Sequence, residues 1–104
     1  MFGIFKSVDL QPEEFAAQLK EENGTVIDCR TADEVAGGIW PEAKHCDWLS
    51  GGFAQKVDSL NRDASYFLYC RSGNRSKAGA GLMKQMGFKK VYNIGAFGDI
   101  AHLI

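Results

Sequence analysis

The segment Cys70-Arg71-Ser72-Gly73-Asn74-Arg75-Ser76 sets one thiol ahead of a short turn holding two guanidinium groups and two hydroxyls. Gly73 and Asn74 are residue types that accept positive φ, so the backbone there can curl and turn successive N–H groups inward, forming an anion-binding nest. A cysteine at the mouth of such a nest, just before a helix N-terminus, is expected to ionise. An ordinary cysteine titrates near about 8.5, and helix N-termini or adjacent cations bring it to roughly 3.5–7.5. A drop of about two units needs about 2.7 kcal/mol, whereas a helix terminus supplies about 0.3–1 kcal/mol. One guanidinium at about 6 Å, with an effective dielectric near 20, supplies about 2.8 kcal/mol at most. Arg71 and Arg75 are therefore expected to carry the shift, with Cys70 as a thiolate nucleophile rather than a structural core thiol.

The elements that must hold this turn follow from the pattern around it. Tyr66 to Tyr69 is a continuous apolar run, suited to a parallel strand covered on both faces. Ala78 to Met86 reads as the helix after the turn, with Gly79 and Gly81 tolerated for close approach to the sheet. Earlier in the chain, a short edge strand is expected at Ser7 to Asp9. A helix then runs from Pro12 to Glu22, with Phe15, Ala16 and Leu19 on its inner face and Gln11 as a weak cap. Asn23-Gly24 ends that helix. A strand follows over Thr25 to Cys29, and a capped helical turn over Thr31 to Glu34 that ends at Gly37-Gly38. Beyond these come a short strand within His45 to Leu49, a short helix through Phe53, Val57 and Leu60, a strand over Val91 to Ile94, a loop over Gly95 to Gly98, and a last helix from about Asp99. The alternation predicts an α/β fold with a mainly parallel sheet of about five strands and helices on both faces. Ligands of such sheets bind at the carboxyl ends of the strands, where Cys70 falls.

A chain of 104 residues with 45% hydrophobic content makes one domain, 1–104, with a real core. A formal net charge of −1 provides no general attraction to nucleic acid or anionic lipid. Three cysteines without a CxxC pair form neither a disulfide framework nor a zinc site, and His45 and His102 lack metal-ligand spacing and read as solvated surface residues. No metal and no cofactor are expected. Met1 to Lys6 lacks the apolar stretch of a signal peptide, no run reaches membrane-spanning length, and a cytoplasmic location is the expectation. Cys29 reads as a small buried hydrophobe. Cys46 reads as a loop thiol, with resolution of an oxidised Cys70 as its functional alternative. Trp40, Trp48, Phe53 and Phe97 are either pocket walls or core.

Val26-Ile27-Asp28-Cys29-Arg30-Thr31-Ala32-Asp33-Glu34, then Gly38-Ile39 with Pro41 and Ala43, then Tyr69 to Ser76, then Gly87-Phe88 and Val91-Tyr92-Asn93 resemble the successive signatures of a single-domain rhodanese. The ending Gly95-Ala96-Phe97-Gly98-Asp99-Ile100 is similar to the small phage-shock-protein-E type. The resemblance implies sulfur transfer from thiosulfate or another persulfide donor to cyanide, a cellular thiol or a protein acceptor. Cys70 would carry the persulfide, and Arg71, Ser72, Gly73, Asn74, Arg75 and Ser76 would hold it. It further implies that Asp28 and Arg30, with Glu34, form an ion-pair scaffold. The spacing Cys-x4-Arg is shorter than the Cys-x5-Arg of related phosphatases and arsenate reductases, and position 76 is serine, which disfavours oxyanion chemistry. The remaining alternative is a rhodanese-type module that binds a partner or senses oxidants without turnover. Two departures stand out: Gly37-Gly38-Ile39 with Trp40 inserted where the family has Gly-His-Ile, and Gly95-Ala96 where it has paired glycines.

Overall fold

A computed structural model of the chain describes residues 8–104. Four strands form one parallel sheet in the order β2-β1-β3-β4: β1 Thr25–Asp28, β2 Lys44–His45, β3 Ser65–Cys70 and β4 Lys90–Ala96. The expectation of about five strands is thus corrected to four among the described residues. Ser7 lies outside them, and Val8 and Asp9 form no strand. Asp9 still docks on the β4 edge, its N–H donating to the Asn93 carbonyl at 2.8 Å and its carboxylate accepting from the Asn93 N–H at 2.8 Å.

The helices are α1 Pro12–Glu22, α2 Ala32–Val35, α3 Phe53–Asp58, α4 Asn74–Gln85 and α5 Phe97–Ile100, with a 3-10 turn at Ala101–Leu103. Helix α1 begins on proline, the Gln11 N–H donates to the Glu14 carboxylate at 2.8 Å, and Asn23 closes the helix in the left-handed region at φ 50. In α2 the Thr31 hydroxyl accepts from the Glu34 N–H while the Glu34 carboxylate accepts from the Thr31 N–H, a reciprocal cap. Strand β2 is only Lys44–His45, one residue earlier and shorter than the expected run to Leu49.

Strand periodicity sorts the core into two layers. From β3, Tyr66, Leu68 and Cys70 face Phe53 and Val57 of α3 and Ala80 and Met83 of α4. Phe67 and Tyr69 face the other way, against Phe15 of α1 and Ile100 of α5. All six residues of β3 are buried, as a central parallel strand with helices on both sides requires.

Helix α4 starts at Asn74, four residues before the expected Ala78. Gly73, at φ 97, makes the turn by itself, so Asn74, Arg75 and Ser76 are already helical and only Arg71–Gly73 separate strand from helix. A Cβ at Gly73 would lie 3.3 Å from the Gly95 Cα, which explains glycine at this crossing of chain segments. Strand β4 likewise continues through Gly95 to Ala96, where a loop was expected, and α5 begins at Phe97. Of the two glycines inside α4, Gly79 abuts Phe53 and Leu68, whereas Gly81 meets nothing within 4 Å.

Candidate active site

Strands β1 and β3 are neighbours, but the chain leaves the end of β1 towards β2 on one side and the end of β3 towards β4 on the other. Such a divergence opens a crevice at the carboxyl ends of the strands. Cys70 is the last residue of β3 and stands at that crevice, followed at once by the N-terminus of α4.

The Cys70 side chain is wholly buried, not placed at the mouth of the turn as its sequence position suggested. It is not surrounded by hydrocarbon alone. Its Sγ accepts from the Gly73 N–H at 3.0 Å, the Ser76 N–H at 3.4 Å and the Ser76 hydroxyl at 3.4 Å. Burial pushes the thiol pKa up, while the Ser76 hydroxyl and the N–H groups of Ser76, Gly73 and Ser72 outweigh it and leave Cys70 below the ordinary value. The amide and hydroxyl cradle at a helix N-terminus is therefore the larger cause, and the Arg75 charge, which also acts on Cys70, stands behind it. The donors are also not the whole run from Arg71 to Arg75, since Ser76, one turn into α4, contributes two of the bonds.

The two arginines have other positions. Arg75 is paired in a fork with Glu34, Nη1 to Oε1 at 2.8 Å and Nη2 to Oε2 at 3.0 Å. Together with the Thr31 N–H, this holds the Glu34 carboxyl down to about 2. Arg71 is exposed and forms no ion pair among the described residues. Ser72 and Asn74 are exposed beside it, and Gly73 is buried.

The Glu34 carboxylate therefore ties α2 to α4, while the Glu34 carbonyl meets the Asp28 and Arg30 scaffold by accepting from Arg30 Nη1 at 3.4 Å. Asp28 and Arg30 form their own pair, with Arg30 Nη2 2.8 Å and Nε 3.1 Å from the Asp28 carboxylate, both residues buried. The Arg30 N–H also donates to Asp28 at 2.8 Å, and Arg30 Nη2 donates to the Gly38 carbonyl at 2.5 Å. The Tyr69 hydroxyl donates to Asp28 at 2.6 Å and accepts from the Trp40 N–H at 3.0 Å. Burial first, then Asp28, pushes the Tyr69 phenol up, so it stays protonated and acts as a donor. Phe97 stacks on Tyr69 at 5.2 Å, and the Arg30 guanidinium lies 4.4 Å from the Phe97 ring centre. This block holds the Gly38 carbonyl through Arg30 and the Trp40 N–H through Tyr69. His45, expected at the surface, is half-buried and donates through Nε2 to the Arg30 carbonyl at 2.6 Å. His102 is exposed.

Trp48 and Phe53 meet edge to face at 5.1 Å on the side of the sheet that carries Cys70. Trp40 packs against Phe15 at 5.0 Å on the opposite side and does not wall the Cys70 crevice. Cys29 and Cys46 are both buried in the same layer as Cys70.

Asn93 supports the cradle and was given no role from sequence. Its Oδ1 accepts from the Ser76 hydroxyl at 2.7 Å and the Gly95 N–H at 3.1 Å, and its Nδ2 donates to the Gly73 carbonyl at 3.2 Å. A polar amide inside the apolar strand run Val91–Ile94 was the available signal, because asparagine is depleted in strands.

A cleft of about 530 Å³ lined by Leu19, Lys20, Thr25, Trp40 and Leu103 lies at the amino end of β1, and its lining holds no cysteine or histidine. No group of three His, Cys, Asp or Glu among the described residues is arranged to hold a metal ion. No helix among the described residues is long and apolar enough to cross a membrane.

The chain is similar to known proteins over most of its length. It is 37% identical over 71 residues to YtwF of Bacillus subtilis (strain 168), covering 68% of this chain and 67% of that protein. It is 31% identical over 85 residues to the thiosulfate sulfurtransferase GlpE of Pseudomonas putida (strain GB-1), covering 82% of this chain and 76% of that protein. In fold it is similar to a rhodanese-like domain protein of Staphylococcus aureus, with TM-score 0.76, 24% identity and 88% of each chain covered. The human single-domain sulfurtransferase TSTD1 matches with TM-score 0.73 and 16% identity, covering 89% of this chain and 94% of that one. The family model for the rhodanese-like domain matches residues 11–97, a span that holds all four strands, the cysteine turn and the Asn93 support. With that match over most of its length, the chain belongs to the rhodanese-like domain family.

Proposed function

We propose that this protein is a sulfurtransferase that moves sulfane sulfur from thiosulfate, or a related donor, to a thiophilic acceptor through a persulfide on Cys70. The observation that carries the reading is the buried Cys70 sulfur facing two N–H groups and one hydroxyl at the start of α4. The Cys70 thiolate attacks the outer sulfur of thiosulfate. The S–S bond of the donor breaks, sulfite departs with the electron pair, and an anionic persulfide remains. The same donors that hold the thiolate hold that anion, as preorganised dipoles should. The acceptor, cyanide or a thiolate, then attacks the outer sulfur and regenerates Cys70.

Arg71 and Arg75 divide their work in this scheme. Arg75 is committed to Glu34, so it fixes the turn. Arg71, exposed and without an ion pair among the described residues, is the guanidinium to meet the sulfonate oxygens of an arriving donor. The donor enters past the exposed Arg71 and Ser72, and the short link from strand to helix suits one added sulfur better than a tetrahedral phosphate.

The reading is tested by thiosulfate-dependent thiocyanate formation. Wild-type protein should be active, intact-mass measurement should show one sulfur added after exposure to thiosulfate, and Cys70→Ser should lose both. Full transfer by Cys70→Ser would refute the assignment, and a wild-type protein that never gains sulfur would favour a binding or sensing role.

A further inference from the structure

Cys70 has a thiol neighbour in the sheet. The β1–β3 register ends at Asp28 opposite Tyr69, and the Cys29 N–H donates to the Tyr69 carbonyl at 2.9 Å, which makes Cys29 the next cross-strand partner, opposite Cys70. Both side chains belong to the layer under α3 and α4, so they project from the same face. Neighbouring strands lie roughly 4.7–4.9 Å apart, within the separation of about 4.4–6.8 Å that a disulfide spans between Cα atoms. Cys46 continues the row on the far side, its N–H donating to the Asp28 carbonyl at 2.9 Å next to the Asp28–His45 pair. It is two strand spacings from Cys70, roughly 9–10 Å, too far to bond with it.

We propose that Cys29 discharges the Cys70 persulfide when no external acceptor arrives, releasing the carried sulfur as hydrosulfide. The inference rests on the sulfur-transfer reading above. Cys29 sulfur bonds to Cys70 Sγ, the bond from Sγ to the outer sulfur breaks, and the outer sulfur leaves with the bonding pair and the Cys29 proton. A thiol and a persulfide anion thus become a Cys29–Cys70 disulfide and one hydrosulfide ion, with no outside oxidant. The geometry favours this route because Cys29 borders the inner sulfur, whereas an external acceptor approaches the outer one. Cys29 also enters protonated: burial first, then the nearby Cys70 and Cys46 sulfurs, keep its thiol well above the ordinary range. Its proton passes to the outer sulfur of the persulfide, and the Cys29 thiolate so formed, the nucleophilic form of a cysteine, attacks Cys70 Sγ as hydrosulfide leaves. The resulting disulfide is reset by an external dithiol.

The test is a single discharge under anaerobic conditions. Wild-type protein is loaded with thiosulfate, freed of excess donor and left without acceptor, while intact mass and hydrosulfide are followed. The added sulfur should disappear in step with hydrosulfide release. The product should be two hydrogens lighter than the reduced chain, and peptide mapping should join Cys29 to Cys70. Cys29→Ala should retain the added sulfur, and Cys46→Ala should discharge as wild type does. A wild-type persulfide that outlasts these conditions, or decays without the linked peptide, would overturn the inference while leaving sulfur transfer intact. Absence of loading on wild type would overturn both. The peptide map of wild type decides the matter even if Cys29→Ala folds poorly.

Discussion

Ser76 carries one hydroxyl proton and has three acceptors around it: Asn93 Oδ1 at 2.7 Å, the Gly73 carbonyl at 3.2 Å and Cys70 Sγ at 3.4 Å. With Cys70 protonated, the shortest of these contacts wins and the thiol itself can donate to Ser76. Once the sulfur is charged, a charge-assisted bond favours turning the hydroxyl towards it. The hydroxyl thus stabilises the thiolate selectively and lowers the Cys70 pKa. Ser76→Ala should raise that pKa, since the variant loses a hydrogen bond to a charged group, worth about 1.5–3 kcal/mol where the proton is not shared. The sign is fixed by the donor's loss: less thiolate at neutral pH, and an alkylation profile displaced to higher pH. Arg71→Ala should leave the profile nearly in place. An unmoved midpoint in Ser76→Ala would show that backbone amides alone hold the anion.

At the scale of elements, the site is a strand that stops and a helix that starts after only three intervening residues. The chain reverses there because Gly73 takes φ 97, and its bare Cα lets the backbone pass so close to Gly95 that a Cβ would sit 3.3 Å from the Gly95 Cα. Gly73→Ala should cost about 1–3 kcal/mol, the usual range for a non-glycine residue forced into a sparsely populated backbone region, and the Gly95 contact allows little relief. It should also depress sulfur transfer by displacing the Gly73 N–H from the sulfur. Urea unfolding together with thiocyanate formation checks both, and a Gly73→Ala variant as stable and as active as wild type would show that the turn has slack. Asn93 adds a second constraint from β4, since one side chain holds the Gly73 carbonyl, the Gly95 amide and the Ser76 hydroxyl together.

For the whole molecule, the pairing of charges decides which contacts are structural. Asp28 and Arg30 are buried and saturated with partners, including Tyr69 and the Gly38 carbonyl. Arg30→Ala should destabilise the protein by about 3–5 kcal/mol, because a buried carboxylate then loses its counter-ion. A loss under about 1 kcal/mol in urea unfolding would mean that the Arg30 and Tyr69 donors are redundant. Arg75 and Glu34 are partly exposed, and solvent screening makes their pair a small contributor to stability. Its value lies in clamping α2 to the first turn of α4, beside Cys70.

The cysteine turn, the two-sided sheet and the order of its elements were legible because they rest on local rules. A buried apolar run, a glycine where φ must be positive and a Pro12 helix start each act within a few residues. The helix α1 boundaries, Pro12–Glu22, follow from such rules alone. Other features depended on groups far apart in the chain. Arg75 is close to Cys70 in sequence, yet its guanidinium is forked onto Glu34, 41 positions away, so amides and a hydroxyl act on the sulfur ahead of its charge. Asn93 reaches the same turn from another strand, and only the parallel register sets Cys29 beside Cys70. A linear string records which residue types can hold a charge. The tertiary arrangement selects which of them do, because electrostatic pairing and strand register are settled by distances through space.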